Sequence, residues 1–302
     1  MKYDAIVVGG GFAGLAAATY LGRARRRVLV LDTRRPRNRF AAASHGFLGH
    51  DGRAPQAILA DAQAQLTRYP TVKIREVAAQ RASAHDGGFA VDLSGDAPGA
   101  TPVEARILIL AFGIQDNLPD IPGLAQRWGS SVLHCPYCHG FEFSNRRLGV
   151  LYRTDMSVHQ AQLVAEWGPT TLFLNGNTLS DDHQAALAHR DVRVEPGLVT
   201  AVQGPGQALT SVQLQDGQAV DIEALFVAPQ STLTSPLADQ LGLEMTDSPM
   251  GPMIVTDDSQ MTSRVGVYAA GDIARAPHSV SWAVADGVTA GTAAHRTLVF
   301  AP

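Results

Sequence analysis

The only two cysteines of this 302-residue chain stand three apart, in Leu133-His134-Cys135-Pro136-Tyr137-Cys138-His139-Gly140. A Cys-x-x-Cys pair can hold a metal, anchor a haem, or cycle between dithiol and disulfide. Zinc would take both cysteines with His139 or His134. Closed zinc sites draw their ligands as two separated pairs, however, and the sequence offers no second Cys/His pair. Cys135-x-x-Cys138-His139 is formally the c-type haem attachment motif, but that attachment requires export. The apolar stretch 5–22 that resembles a leader is interrupted by three glycines at 9–11, so it reads as a buried strand, turn and helix. The redox reading is left. Pro136 stiffens the turn between the cysteines, and nearby donors or an imidazolium stabilise a thiolate there. His139 suits the transfer of a thiol proton near neutrality, against the blander reading of a packing or capping histidine. His45, His50 and His278 carry the same chemistry, with a structural or cofactor-bonding role favoured for each.

The elements that would position these groups follow a βαβ rhythm. Strands are expected at 3–8 and 28–31, with an Ala-rich helix at 15–22 between them. Further strands are expected at 71–75, 89–93 and 106–111, and a Pro/Gly-rich stretch with Pro119, Pro122 and Gly123 reads as a linker. A second α/β pattern follows: strands at 148–152 and 170–174 flank a helix at 157–167, and strands at 192–195, 199–203, 211–215 and 224–228 continue it. The last stretch, 253–300, has a strand at 267–270 and a long helix from about 280. It is too small for a domain of its own and must return to the first. The expected fold is therefore α/β, with two Rossmann-like domains, the second inserted into the first: 1–115 with 246–302, and 118–243 carrying the cysteines.

Gly9-Gly10-Gly11-Phe12-Ala13-Gly14 satisfies G-x-G-x-x-G between the first strand and the first helix. Gly9 permits the tight turn, Gly11 lets backbone approach a pyrophosphate, and Gly14 lets the helix pack close to the strand. Asp32 ends the second strand, where an acid accepts from ribose hydroxyls and disfavours a 2′-phosphate. FAD or NAD fits; NADP does not. Gly266-Val267-Tyr268-Ala269-Ala270-Gly271-Asp272 near the end of the chain favours FAD. The composition is that of a soluble globular protein, with 45% hydrophobic residues, 17% charged residues and a net charge of −4. Nothing in it calls for a nucleic acid or a membrane, and two cysteines make no secreted disulfide framework. Eight arginines between Arg23 and Arg39 read as a solvated face beside a phosphate-bearing cofactor, ahead of a docking patch for an acidic protein.

With these motifs the chain resembles the low-molecular-weight thioredoxin reductase family over nearly its full length. The Gly-rich loop comes first, Ala111-Phe112-Gly113 follows, Cys-x-x-Cys lies in the inserted part, and Ala-Ala-Gly-Asp ends at Asp272. The resemblance implies an FAD domain built from both chain ends, an inserted second nucleotide domain and a homodimer; a cytoplasmic setting is expected because no segment of the sequence outside 5–22 could span a membrane. The resemblance implies that residues 44–52, His45 among them, line the flavin, that the Val77 backbone meets the adenine, and that Ala283 lies beside the cofactor; Trp282 falls in the same region, where it either stacks on the flavin or packs in the core. It also implies that Cys138 faces the flavin and Cys135 exchanges with substrate. FAD-binding positions carried over are Gly9, Gly11, Phe12, Ala13, Gly14, Asp32, His45, Val77, Ala111, Gly113, Gly271, Asp272 and Ala283.

Two departures matter. The family's second Gly-rich turn falls on Tyr152, Thr154 and Ser157, and the basic cluster for a 2′-phosphate falls on Asn175-Gly176-Asn177. NADPH is therefore expected not to bind productively. His139 replaces the acid that thioredoxin reductases carry after the second cysteine. In this the chain is similar to the branch of dithiol oxidases that close gliotoxin- and holomycin-type disulfides, and to bacterial enzymes fed by ferredoxin or flavodoxin. The expected activity is oxidation of a small-molecule or peptide dithiol with oxygen as acceptor. The alternatives are a ferredoxin- or flavodoxin-linked reductase of thioredoxin-like proteins, and a flavin redox sensor.

Overall fold

A computed structural model describes residues 2–95, 97 and 100–300. It divides into two units: Met1–Arg39, Gln56–Gln115 and Ser231–Pro302 form the first, and Phe40–Pro55 with Asp116–Gln230 the second.

The first unit is built on strand Lys2–Val8, whose last four residues are β-branched or small and buried. A strand buried on both faces must lie inside a parallel sheet. Val28–Asp32 pairs along one side of it and Val103–Leu110 along the other, both parallel, and Val72–Glu76 continues beyond Val28–Asp32. Val103–Leu110 serves two partners on its outer edge. Its start takes the antiparallel strand Gly88–Leu93, and its end takes the parallel strand Val267–Ala269. Helix Phe12–Arg23 and the C-terminal helix Val280–Phe300 share a buried cluster on one face of this sheet with Val7, Val30 and Ile109. The helices cross closely because small residues meet: Gly287 lies against Ala13 and Gly291 against Ala17.

The second unit repeats the pattern with a five-stranded parallel sheet, in the order Arg193–Glu195, Thr170–Phe173, Leu148–Leu151, Ala224–Val227, Val132–Leu133. Leu148–Leu151, Thr170–Phe173 and Ala224–Val227 are buried at every position. A three-stranded antiparallel sheet, Val199–Gln203, Ser211–Leu214 and Ala219–Asp221, closes a second core with Ile121 and Leu124.

The division differs from the sequence expectation in two places. Residues 40–55 join the second unit because Gly129 backs onto Phe40, where a Cβ would come within 2.7 Å of the Phe40 Cβ. Residues 231–245 join the first because Leu237, Ala238, Leu241 and Leu243 are buried in its core. The expected linker at 119–123 is packed structure, with Ile121 in the core and Gly123 at φ +85°. Strand Ala79–His85 and helices Pro55–Leu66 and Asp181–Ala188 lack a strong apolar period and were not expected from the sequence. Among the described residues no helix is long and apolar enough to cross a membrane.

Candidate functional site

The Gly-rich turn has the shape its spacing requires. Gly9 sits at φ +111°, and a Cβ there would overlap the Ala111 carbonyl. A Cβ on Gly14 would overlap the Gly9 carbonyl, so helix and strand could not close up around a larger residue. Gly11 caps helix Phe12–Arg23 in an extended conformation, and open space lies where its side chain would be. This is backbone that a phosphate could approach, at the positive end of a twelve-residue helix with no acid in its first turn. Asp32 is buried, and its carboxylate lies against Gly10. It accepts from the Arg34 amide at 2.9 Å and from Gln63 Nε2 at 3.2 Å. The Val77 amide donates to the Asp32 carbonyl, which places Val77 at the same strand ends.

The C-terminal segment brings the other expected positions of this unit to the same helix. Gly271, at φ +80°, faces Ala13 and Ala283; a Cβ there would stand 3.1 Å and 3.7 Å from theirs. Asp272 pairs with Arg37 at 2.9 Å, and Arg37 also donates to His278 Nδ1 at 2.7 Å. Ala111 is buried with its amide on the Val8 carbonyl, and Gly113 at φ +77° has open space beside its Cα. Arg275 makes a two-pronged pair with Asp286, at 2.9 and 2.8 Å, and lies 5.8 Å over the ring of half-exposed Trp282.

In the second unit Cys135 and Cys138 form a disulfide. Cys135 caps the short helix Pro136–His139, with proline at its first position, and its Sγ accepts from the Cys138 amide at 3.2 Å. That donor is in place for a Cys135 thiolate when the disulfide opens. Gly140 allows the turn to back onto Trp167, since a Cβ would stand 2.7 Å from the indole. Tyr137, three-quarters exposed, meets the same indole edge-on at 5.7 Å. Burial holds the His139 imidazole below its ordinary pKa, with Glu142 acting upward and His45 downward. The His45 ring stands edge-on to His139 with centroids 6.2 Å apart. It lies between two carboxylates, Asp51 at 3.7 Å from Nδ1 and Glu142 at 3.5 Å from Nε2.

Comparison with known proteins identifies the family of the chain. Residues 3–161 and 166–287 match the family described as pyridine nucleotide-disulphide oxidoreductase. The chain belongs to that family. It is 35% identical to thioredoxin reductase tcpT of Claviceps purpurea, over 98% of this chain and 94% of that protein. It is 33% identical to thioredoxin reductase sirT of Leptosphaeria maculans, over 96% and 92%. The crystal structure of an oxidoreductase from Agrobacterium tumefaciens superposes with a TM-score of 0.94 at 43% identity, each chain covered in full. The protein is thus a disulfide oxidoreductase of the thioredoxin reductase type, and FAD is the cofactor of this family. The open face at Gly11, the helix start and buried Asp32 fit a dinucleotide with a pyrophosphate and a free ribose.

The turn at 152–157, where the sequence lacks a second Gly-rich motif, is held by side-chain bonds. After strand Leu148–Leu151, the Tyr152 hydroxyl donates to the Asp155 carboxylate at 2.7 Å. The amides of Arg153 and Thr154 donate to Ser157 Oγ at 2.9 and 3.5 Å. Asp155 stands at the start of helix Met156–Val164 without capping it. Beyond the next strand, Asn175 Oδ1 accepts from the Val199 amide, and Asn177 Nδ2 donates to the Leu174 carbonyl.

Several residues gain a place that the sequence did not assign. Arg37 was one of a run of arginines, and only the returning segment 271–278 singles it out. Glu142 and Asp51 meet at His45 through folding of distant segments. Arg275 and Asp286, eleven apart, carry no pattern beyond opposite charge.

Proposed function

We propose that this protein is an FAD-dependent dithiol oxidase that works without NADPH and passes electrons to oxygen. The observation that carries the reading is the closed start of helix Met156–Val164. The Ser157 hydroxyl takes amides that a pyrophosphate would need, and the Tyr152–Asp155 pair puts bulk and negative charge where its phosphates would sit. The loop at 175–177 spends its side chains on backbone groups rather than presenting cations.

In this reading FAD is held at Gly9, Gly11, Phe12, Ala13, Gly14, Asp32, Val77, Ala111, Gly113, Gly271, Asp272 and Ala283, with Arg37 adding positive charge beside Asp272. His139, kept uncharged by burial, takes a proton from a substrate thiol. The thiolate attacks Cys135 Sγ; a substrate–Cys135 bond forms, the Cys135–Cys138 bond breaks, and Cys138 leaves as thiolate. The second substrate thiol releases its proton to solvent and attacks the substrate sulfur of the mixed disulfide. The substrate leaves as its disulfide, and Cys135 leaves as a thiolate stabilised by the Cys138 amide. Two electrons and two protons have left the substrate, and the electrons rest on the cysteine pair. Bound FAD would supply a two-electron acceptor for that pair, with oxygen as the terminal acceptor and peroxide as its product. Because the His139 value is lowered, the neutral base persists to lower pH than an ordinary imidazole; the rate falls only as acid protonates it. The working unit is read as a homodimer, which light scattering checks.

A reductase fed by an acidic protein such as ferredoxin would use the arginines of 23–39. Several of them have partners within this chain, Arg23 with Tyr69, Arg26 with His295, Arg27 with Asp4, Arg34 with Glu76 and Arg37 with Asp272, although Arg23, Arg27 and Arg34 stay exposed. The deciding experiment is anaerobic mixing with dithiothreitol, NADPH, NADH or reduced ferredoxin, following flavin absorbance. Bleaching by dithiothreitol, recovery in air with peroxide release, and no rapid bleaching by NADPH are expected. Rapid bleaching by NADPH overturns the oxidase reading, and bleaching by ferredoxin alone transfers the assignment to the reductase. Turnover with peroxide release also separates an enzyme from a sensor.

A further inference from the structure

His45 belongs to a segment that folds onto the cysteine-bearing unit from ninety residues away, and it arrives beside the histidine that follows Cys138. Its two ring nitrogens face two different carboxylates, those of Asp51 and Glu142. Both separations exceed hydrogen-bond length, so no fixed bond links the three groups. Glu142 is also the carboxylate that acts on His139, in the direction of holding a proton there. His45 and His139 thus compete for one counter-charge.

We propose that His45 is a positioning residue for the oxidase reaction: by engaging Glu142 and standing edge-on to His139, it limits the hold of Glu142 on His139, which burial keeps the uncharged proton acceptor. The proposal rests on the reading of His139 as the base. The groups facing the two rings are Asp51 on the segment that carries His45, Glu142 on the turn after the cysteines, and the Cys135–Cys138 disulfide on the helix of His139, uncharged while oxidised. His45 acts on His139 in the direction opposite to Glu142, an electrostatic repulsion at a partly buried site. Removing His45 has two effects of one sign: that repulsion is lost, and Glu142 is freed to pair with His139. Removing Glu142 has the opposite sign. A residue that merely packed the loop would not produce this antisymmetry.

The test is an NMR titration of the His139 imidazole in the oxidised holoenzyme, its signal assigned by its loss in His139→Gln. It is run on the wild type, His45→Gln, Glu142→Gln and the double variant. The His139 midpoint is expected to move to higher pH in His45→Gln and to lower pH in Glu142→Gln. The double variant is expected to lie between them, a coupling that the mutant cycle measures directly. The acid limb of anaerobic flavin reduction by dithiothreitol is expected to move with each midpoint. An unmoved midpoint in His45→Gln, or a shift of the same sign in both single variants, overturns the proposal. Far-ultraviolet circular dichroism of each variant separates such a result from misfolding; His45→Asn supplies a second substitution if His45→Gln does not fold. The base reading fails by a different result: His139→Gln retaining the wild-type acid limb, while the NMR midpoints still decide the role of His45.

Discussion

Gly287→Ala tests the packing that fixes the dinucleotide cradle. An added Cβ would overlap the Ala13 carbonyl oxygen and stand 2.8 Å from its carbonyl carbon and 3.0 Å from its Cα. These are backbone atoms of the first turn of helix Phe12–Arg23, so no side chain can swing aside; the two helices must part. Overpacking of this kind costs about 1–3 kcal/mol. Replacing a mid-helix glycine by alanine returns about 1 kcal/mol of helix propensity. Because the clash is with backbone, the upper part of the first range applies, and the net loss is about 2 kcal/mol. For a chain of this size that lowers Tm by about 4–8 °C. The displaced residue is Ala13, two positions beyond Gly11, so FAD retention through gel filtration is expected to fall with stability. Gly291→Ala is the control. Its Cβ would meet the Ala17 carbonyl oxygen at 2.7 Å, one turn further from the cradle. It should lose stability while keeping FAD. An unchanged or raised Tm in Gly287→Ala, with full flavin content, would refute this account of the helix crossing.

Two further outcomes follow from the same geometry. The triple variant Tyr152→Gly, Asp155→Ala, Ser157→Ala frees the amides at the start of helix Met156–Val164. It is expected to bind NADPH at least about tenfold more tightly than wild type, about 1.4 kcal/mol, by fluorescence titration; no gain would show that these side chains are not what excludes the nucleotide. Arg275→Ala leaves the Asp286 carboxylate, 4% exposed, without its partner. A loss of about 3 kcal/mol is expected from thermal or urea unfolding, and an unchanged Tm would contradict the pairing.

The local demands of the cradle were legible in the sequence because they are demands on single residues. A strand, three glycines and a helix within twenty positions leave few conformations. Gly9 at positive φ and Gly14 against the Gly9 carbonyl are what that spacing requires. The cysteine pair was legible for the same reason: residues three apart around a proline can bridge without help from the rest of the chain. The long apolar helix 280–300 and the return of the last segment to the first unit also followed from pattern and size. Strand Ala79–His85 was not legible, because only one of its seven residues is fully buried and its alternation is lost at the sheet edge. Nor was the core role of Ile121, since prolines and a glycine around it signal a loop whether that loop is packed or solvated.

What the sequence by itself determined was chemistry carried by neighbours: the flavin-type turn, the disulfide, and the replacement of glycine at Tyr152 and Thr154. What only the tertiary structure decided was the company of each charged group. Arg37 meets Asp272 and His278 across more than 230 residues, and His45 meets Glu142 across nearly a hundred. The eight arginines of 23–39 and the ten histidines of the chain look alike in a linear sequence. Which of them faces a carboxylate, and at what burial, is set by how sheets and helices pack, and Coulomb interactions at a few ångströms leave no mark on sequence spacing.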